Sequence, residues 1–149
     1  MDPQTAADIT EIIQVTNRYC HAIDGGDWDT LRERVFLPDA VMEFRPGDPD
    51  HQRNDIDGIV DYIATALGPL DTSQHLVGSH VVEVDGDEAT CRCYLHGQHV
   101  RRAAEGGPHM IVALTYDDRV VRTEAGWRIA HRRLVPSWRE GNPEVMRPG

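Results

Sequence analysis

The hydrophobic pattern of this 149-residue chain changes its period near His75, and this change limits the fold more than any other feature. Before that point, apolar residues recur at three- and four-residue steps, which is typical of helices that bury one face. Beyond it, apolar and polar residues alternate, as they do in strands. Helices first and a long sheet last predict an α+β fold.

Three helices are predicted in the first half of the chain. Their spans are Thr5–Ile23, Trp28–Phe36 and Ile56–Leu67. Gly25 and Gly26 end the first helix, and Asp27 is the expected N-cap of the second. The third helix begins after a cap that is either Asn54 or Asp55.

The strands are predicted to form a curved sheet. Pro38 closes the second helix, and a short strand, Ala40–Phe44, is followed by a polar loop over Arg45–Asp55. The four later strands are His75–Val84, Glu88–Arg101, His109–Arg122 and Gly126–Val135. Because short turns join them, they form an antiparallel meander, folded around the first helix with a pocket between the two. The last of these strands contains the pair Arg132-Arg133. We expect the guanidinium group of one of these two arginines to lie in solvent.

Length and charge limit the chain to a few classes of protein. The 149 residues suit one domain, 1–149, and the formal net charge of −10 argues against a nucleic-acid partner and against attraction to anionic lipid. No apolar run approaches the ~18 residues of a membrane span, and the acidic start MDPQTAADIT is unlike a secretory signal. Three cysteines without a CxxC pair indicate neither a disulfide framework nor a zinc site, so we expect the reducing cytoplasm as the compartment. Cys91 and Cys93 share one face of a predicted strand, and we expect both in the core.

The stretch YCHAIDGGDWDTL places an acid, Asp24, at the end of the first helix. At ~100° per residue, its helical phase lies about 40° from Cys20 and about 20° from Ile13, on the edge of the buried stripe. The negative end of the helix dipole disfavours an acid there, so another group is expected to compensate. Two interpretations are open: a structural acid that accepts from a backbone N–H of the following turn, or a functional carboxylate.

His75 opens the first long strand, in TSQHLVGSHVVEV, among apolar neighbours. Alone, it is interpreted as a structural histidine at the edge of the core. A catalytic role for His75 is expected only if its side chain contacts Asp24. A carboxylate bound to one imidazole nitrogen fixes the tautomer and leaves the other nitrogen as a base. Sequence spacing does not establish that contact.

Four segments resemble the SnoaL-like branch of the nuclear-transport-factor-like superfamily. They are AIDGGDWDTL, VMEF, QHLVGSHVVEVDGDEATCRCY and GWRI, and the resemblance covers Thr5–Trp138. The branch includes scytalone dehydratase, hexachlorocyclohexane dehydrochlorinase, steroid and polyketide isomerases and cyclases, and the small subunit of ring-hydroxylating dioxygenases. The resemblance implies a cone of curved, mixed sheet around the helices, a deep pocket, no metal or organic cofactor, and a homodimer or homotrimer.

The resemblance also implies roles for Asp24 and His75. In the dehydratase and dehydrochlorinase, an aspartate after the first helix orients a histidine that abstracts a proton, and these two positions match. Where scytalone dehydratase has tyrosines, this chain has Ile23 and, near the second, Phe44. The second catalytic histidine of the dehydratase has no secure match in this chain, because His109 lies two residues away from the aligned position. A proton transfer that needs only a base is therefore implied, rather than dehydration of scytalone itself.

Two more histidines and several aromatic residues are expected to contact a substrate. His99 shares strand parity with Leu95, and His131 alternates with Ile129, so both are expected to face inward. The expected substrate contacts are Tyr19, Ile23, Phe44, Tyr62, His99, His131 and Trp138. Tyr94 is a further candidate for the pocket lining, and core packing is the competing interpretation for these aromatic residues.

A histidine metal site is a weaker alternative. A bulge at Gly97 would bring His96 beside His99, and the two could then join His75 or His80. The spacing matches no familiar set of ligands, however, and no carboxylate accompanies it. An ordinary hydrogen-bonded sheet histidine is the competing interpretation for each, and the face of His80 is left unassigned.

The sequence therefore predicts a lyase or isomerase that abstracts a proton from an apolar cyclic substrate, leading to dehydration, elimination, isomerisation or cyclisation. The alternative is a non-catalytic ligand-binding protein or the small subunit of a ring-hydroxylating dioxygenase. The enzyme needs Asp24 and His75 to touch beside an open pocket. The alternative predicts that they are apart, or that side chains fill the pocket.

Overall fold

The computed structural model describes residues 1–147 as three helices and a six-stranded sheet. The helices are α1 Pro3–Gly25, α2 Trp28–Thr30 and α3 Ile56–Leu67. The strands are β1 Phe36–Glu43, β2 Gln52–Arg53, β3 Thr72–Asp85, β4 Glu88–Val100, β5 His109–Thr123 and β6 Gly126–Gly141, and a last 3₁₀ turn spans Pro143–Met146. The predicted α+β fold is confirmed.

The second and third helices start at the predicted caps. The side chain of Asp27 accepts a hydrogen bond from the backbone N–H of Thr30, and that of Asp55 accepts one from Gly58. The second helix differs from its prediction in form, because α2 passes directly into a π-helical turn, Leu31–Val35. The prediction of one regular helix through this segment is therefore wrong.

The strand after this turn is longer than predicted. β1 starts at Phe36 rather than Ala40, and Pro38 lies inside it instead of merely ending the helix. The pairing of β1 with β6 is interrupted between Phe36 and Val41, so Pro38, which has no N–H to donate, disrupts no regular ladder. The polar loop that follows contains a 3₁₀ turn, Pro49–His51, and the short strand β2, which pairs with β1.

The strands lie in the order β2-β1-β6-β5-β4-β3. All neighbours are antiparallel except β1 and β6, which are parallel, so the sheet is mixed and the predicted meander of β3 to β6 is confirmed. The sheet is curled but not closed, and α1 packs against β3 and β6. The core between helices and sheet includes the free cysteines Cys20, Cys91 and Cys93. No helix within residues 1–147 is long and apolar enough to cross a membrane.

Bulges change which side chains of β6 face inward. The pairing with β5 shifts by one residue at Ala130, between Ile129 and His131. Ile129 faces the core before the shift, and Arg132 faces it afterwards, while His131 and Arg133 lie toward solvent. One guanidinium of the arginine pair is thus in solvent, as expected, and the other is in the core.

Arg132 forms a buried ion pair with Asp118 on β5. Its Nε and Nη2 donate to the two carboxylate oxygens at 2.8 and 2.7 Å, and neither side chain has exposed surface. The guanidinium carbon lies 3.9 Å from the ring centre of Tyr116 and 4.4 Å from that of Tyr19. The charge of Arg132 is therefore balanced by Asp118 and covered by two aromatic faces.

An apolar patch lies on the outer face of the sheet, and we call it the outer patch. Its members are exposed hydrophobic side chains of β3, β4 and β6: Leu76, Val81, Tyr94, Val135 and Trp138. Tyr94 is 64% exposed and Trp138 is 51% exposed. The ring of His96 packs against that of Trp138 at a centroid distance of 5.4 Å.

Replacing Asp118 by Asn should lower the free energy of unfolding by about 3–5 kcal/mol, because the buried charge of Arg132 then lacks its partner. Urea unfolding measures the change. Asp117→Asn is the matched control. The Asp117 side chain is 39% exposed, and its ion pair with Arg133 is long, at 3.7 Å. The control should cost less than ~1 kcal/mol. Equal losses in the two variants would contradict this account of the core.

Candidate functional site

Asp24 lies in the last turn of α1, and Gly26 lets the chain leave the helix directly after it. Gly26 has a φ of 65°, in the left-handed region, and its N–H donates to the carbonyl of Ala22. Glycine adopts this conformation without the steric cost that a β-carbon brings. The helix therefore ends where the Asp24 side chain can reach the start of β3.

Three hydrogen bonds hold the Asp24 carboxylate. Its Oδ1 lies 2.6 Å from Nδ1 of His75 and accepts from the Ser73 hydroxyl at 2.9 Å, while its Oδ2 accepts from the backbone N–H of His75 at 2.9 Å. The structure thus brings Asp24 and His75 together. Since a carboxylate only accepts, Nδ1 of a neutral His75 carries the hydrogen, and Nε2 presents a lone pair.

The same contacts compensate for an acid at a helix C-terminus. Burial acts to raise the pKa of the Asp24 carboxyl, but the hydrogen bonds from His75 and Ser73 outweigh it and hold that pKa below its ordinary value. Asp24 is therefore ionised at neutral pH, next to the imidazole that it holds.

Gly97 on β4 makes room for this imidazole. It is paired directly with His75 in the register of β3 and β4. A β-carbon at position 97 would lie 3.0 Å from Cδ2 of His75, 3.2 Å from its Nε2 and 3.2 Å from Cε1 of His99. These approaches are too close for an unshifted side chain, so the position of the His75 ring depends on glycine here.

His75 borders a cavity of about 160 Å³ between the helices and the sheet. The predicted substrate contacts that line this cavity are Tyr19, Ile23, Phe44, Tyr62 and His99. Most of the remaining lining is aliphatic, and it includes Ile63, Leu95, Val112, Leu114 and Leu134. The cavity is therefore an apolar space with a few hydrogen-bonding groups, which is the usual character of a small-molecule site.

His131 and Trp138 lie away from this cavity, so the prediction that they line the pocket is wrong. The bulge at Ala130 turns His131 outward, where its Nε2 lies 2.6 Å from the carboxylate of Glu43. A second bulge, at Ser137, precedes Trp138, which belongs to the outer patch. Tyr94 belongs to the same patch rather than to a cavity around His75.

The bulge at Gly97 that a histidine metal site would require is absent. β4 alternates regularly through this residue, so His96 and His99 lie on opposite faces of the sheet. His80 lies in a bulge after Gly78, and its Nε2 is 2.8 Å from the hydroxyl of Thr16 on α1. In the described part of the chain, no group of three histidine, cysteine, aspartate or glutamate side chains could hold a metal ion.

Sequence reasoning missed Ser73, Gly97 and Tyr116. Ser73 lies before the predicted start of its strand, although it shares the parity of His75. Tyr116 shares the parity of Leu114, so strand alternation could have placed it among the inward residues. The role of Gly97 depends on a cross-strand approach that no local pattern reveals.

The pair of Asp24 and His75 also borders an outer cleft of about 590 Å³. Polar residues such as His21, Ser73 and Gln98 form most of its lining. The Asp24 side chain is 21% exposed, so water reaches the carboxylate. The smaller apolar cavity suits an apolar substrate better, because such a substrate loses contact with water there.

Comparison with known proteins identifies the family. The sequence profile described as the SnoaL-like domain matches residues 4–133. The chain belongs to the SnoaL-like domain family. This SnoaL-like domain is 35% identical over 130 residues to "Uncharacterized protein Rv2910c" of Mycobacterium tuberculosis H37Rv, a match that covers 85% of the chain and 83% of the relative.

Solved structures agree with this assignment. The Kfla4162 protein from Kribbella flavida superposes with a TM-score of 0.87 at 27% identity, over 97% of this chain and 99% of that one. A nuclear transport factor 2-like superfamily protein from Salmonella enterica gives a TM-score of 0.77 at 22% identity, over 94% and 98% of the two chains. The SnoaL-like domain therefore has the fold of that superfamily, as the sequence predicted.

Gly97→Ala should lower the free energy of unfolding by about 1–3 kcal/mol through overpacking against His75. In a His75→Ala background the added methyl group gains space, so the loss should be smaller. Urea unfolding of the wild type, the two single variants and the double variant measures this coupling. Gly78→Ala is the control, because its β-carbon meets nothing within 4 Å. An equal cost of Gly97→Ala in both backgrounds would contradict the proposed contact.

Proposed function

We propose that this SnoaL-like domain is an enzyme that removes a proton from an apolar cyclic substrate, with His75 as the base and Asp24 as the group that orients it. The observation that carries the proposal is the 2.6 Å contact between Asp24 and Nδ1 of His75 beside an apolar cavity. The reaction class is elimination, including dehydration, isomerisation or cyclisation, without a metal or organic cofactor.

The proposed reaction begins at Nε2 of His75. This nitrogen takes a proton from a substrate C–H bond, and the electron pair of that bond moves into a new double bond. In an isomerisation the imidazolium returns the proton to another carbon, and in an elimination the electron pair expels a leaving group. Asp24 stabilises the imidazolium through Nδ1, and a positioned base of this kind contributes about 10²–10⁴-fold to a rate.

Hydrogen bonds from Ser73 and from the backbone of His75 fix the carboxylate, so it need not reorganise when the imidazole becomes charged. The non-catalytic alternative predicted that Asp24 and His75 lie apart, or that side chains fill the pocket. The observed contact and cavity favour the enzyme.

Deuterium exchange tests the proposal without a known substrate. The protein is incubated in D₂O with a panel of cyclic ketones and β-hydroxy ketones, and proton NMR follows each ring. At least one compound should exchange a ring hydrogen or eliminate water, and His75→Ala and Asp24→Asn should slow this reaction about 10²–10⁴-fold. His96→Ala, on the outer face, is the matched control and should keep full activity. Full activity in a folded His75→Ala variant would refute the proposal.

We further propose that the outer patch joins copies of the chain in a homodimer or homotrimer, because exposed aromatic side chains such as Tyr94 and Trp138 gain from burial. The proposed compartment is the cytoplasm, where the three free cysteines stay reduced.

Trp138→Glu should reduce the mass measured by light scattering to that of one 16.7 kDa chain, because the charge interrupts the outer patch. Thr90→Glu is the control. Thr90 is exposed on β4 but does not belong to the outer patch, so this variant should leave the assembly intact. A monomeric wild-type protein at micromolar concentration would contradict the proposed assembly.

A further inference from the structure

The volume of the cavity limits the size of its ligand. The space beside His75 measures about 160 Å³. A dry apolar cavity of ~150 Å³ in another protein is known to hold one benzene molecule. One six-membered ring therefore fills the apolar space beside His75, and a second fused ring would either extend out of this space or displace packed side chains.

His99 supplies the cavity with a fixed hydrogen-bond acceptor. Its Nδ1 lies 3.2 Å from the backbone carbonyl of Met110, which can only accept, so Nδ1 carries the hydrogen and Nε2 has the lone pair. Burial, and then the neighbouring His75, lower the pKa of His99 to about 4, so the ring is neutral at physiological pH. A group bound at Nε2 of His99 must therefore donate a hydrogen.

This acceptor lies next to the proposed base. The ring centres of His75 and His99 are 5.0 Å apart, with the rings at 79° to each other. Both rings border the same cavity, and Cε1 of His99 and Nε2 of His75 pack over the same glycine, Gly97. A donor held by His99 would thus lie in the same cavity as the substrate atom that faces His75.

The cavity lining also favours a neutral ligand. Among the described residues that line it, none is arginine, lysine, aspartate or glutamate. Arg132 is bound to Asp118 and lies against the rings of Tyr19 and Tyr116. A carboxylate or phosphate in the cavity would therefore be a buried, unpaired charge, which is strongly disfavoured.

We infer that the site takes a neutral ligand with a single six-membered ring and a hydroxyl group that donates to Nε2 of His99. The choice of His75 as the base rests on the proposed function. The limits on ring size, charge and hydroxyl group are properties of binding alone.

Calorimetric titration of the full chain with four probes tests this inference. Phenol and toluene have nearly the same shape and differ in the donor, 2-naphthol adds a fused ring, and benzoate adds a charge. We expect phenol to bind at least as tightly as toluene, and both 2-naphthol and benzoate to bind more weakly than phenol. In His99→Phe, the phenol hydroxyl loses its partner, so phenol should bind about 10-fold more weakly than toluene. His96→Phe should leave the order unchanged.

The two proposals fail in different ways. Tighter binding of toluene, 2-naphthol or benzoate than of phenol to the wild type would overturn this inference, as would the absence of binding by phenol. None of these results depends on turnover. Selective binding of phenol together with no deuterium exchange on any ring would refute the proposed proton abstraction and leave the inferred ligand class in place.

Discussion

The hydrogen bond between Asp24 and Nδ1 of His75 joins the end of α1 to the first strand of the meander, and the candidate site depends on it. It constrains both partners. The helix has to end at Gly26 so that the carboxylate can reach β3, and β4 has to carry glycine at position 97 so that the imidazole has room. In return, the bond keeps Asp24 ionised at an unfavourable helix end and directs the lone pair of His75 away from the carboxylate.

A second constraint keeps charge out of the cavity. Arg132 and Asp118 neutralise each other in the core, and the rings of Tyr19 and Tyr116 cover the guanidinium. Burial raises the pKa of Tyr19 to about 12, even though Arg132 acts in the opposite direction. The phenol is therefore neutral at physiological pH, and the cavity wall that it forms carries no ionised group. An apolar ligand can thus lie close to His75, and the proposed function gives Asp24 the role of stabilising this imidazole when it takes a proton.

Patterns in the sequence predicted the elements that repeat regularly and failed where the repeat breaks. The 3.6-residue period found α1 and α3, and the two-residue period found the meander of β3 to β6. The bulge at Ala130 reverses the facing of the residues directly after it, so His131 was assigned to the wrong face. Trp138 was placed in the pocket only because it is aromatic, and it lies on the outer face instead. Proximity of Asp24 to His75 followed from the family resemblance rather than from spacing. Ser73 and Gly97 escaped prediction because their roles arise from contacts between elements that are distant in sequence or paired across the sheet.

The tautomer of His75 reports on its hydrogen bond with Asp24. Long-range ¹⁵N–¹H correlation of the imidazole nitrogens distinguishes a protonated nitrogen from one with a free lone pair. At a pH at which the ring is neutral, the account predicts that Nδ1 of His75 is protonated and Nε2 is not, and that Asp24→Asn removes this preference. A neutral His75 protonated at Nε2 in the wild type, or an unchanged tautomer in Asp24→Asn, would contradict it.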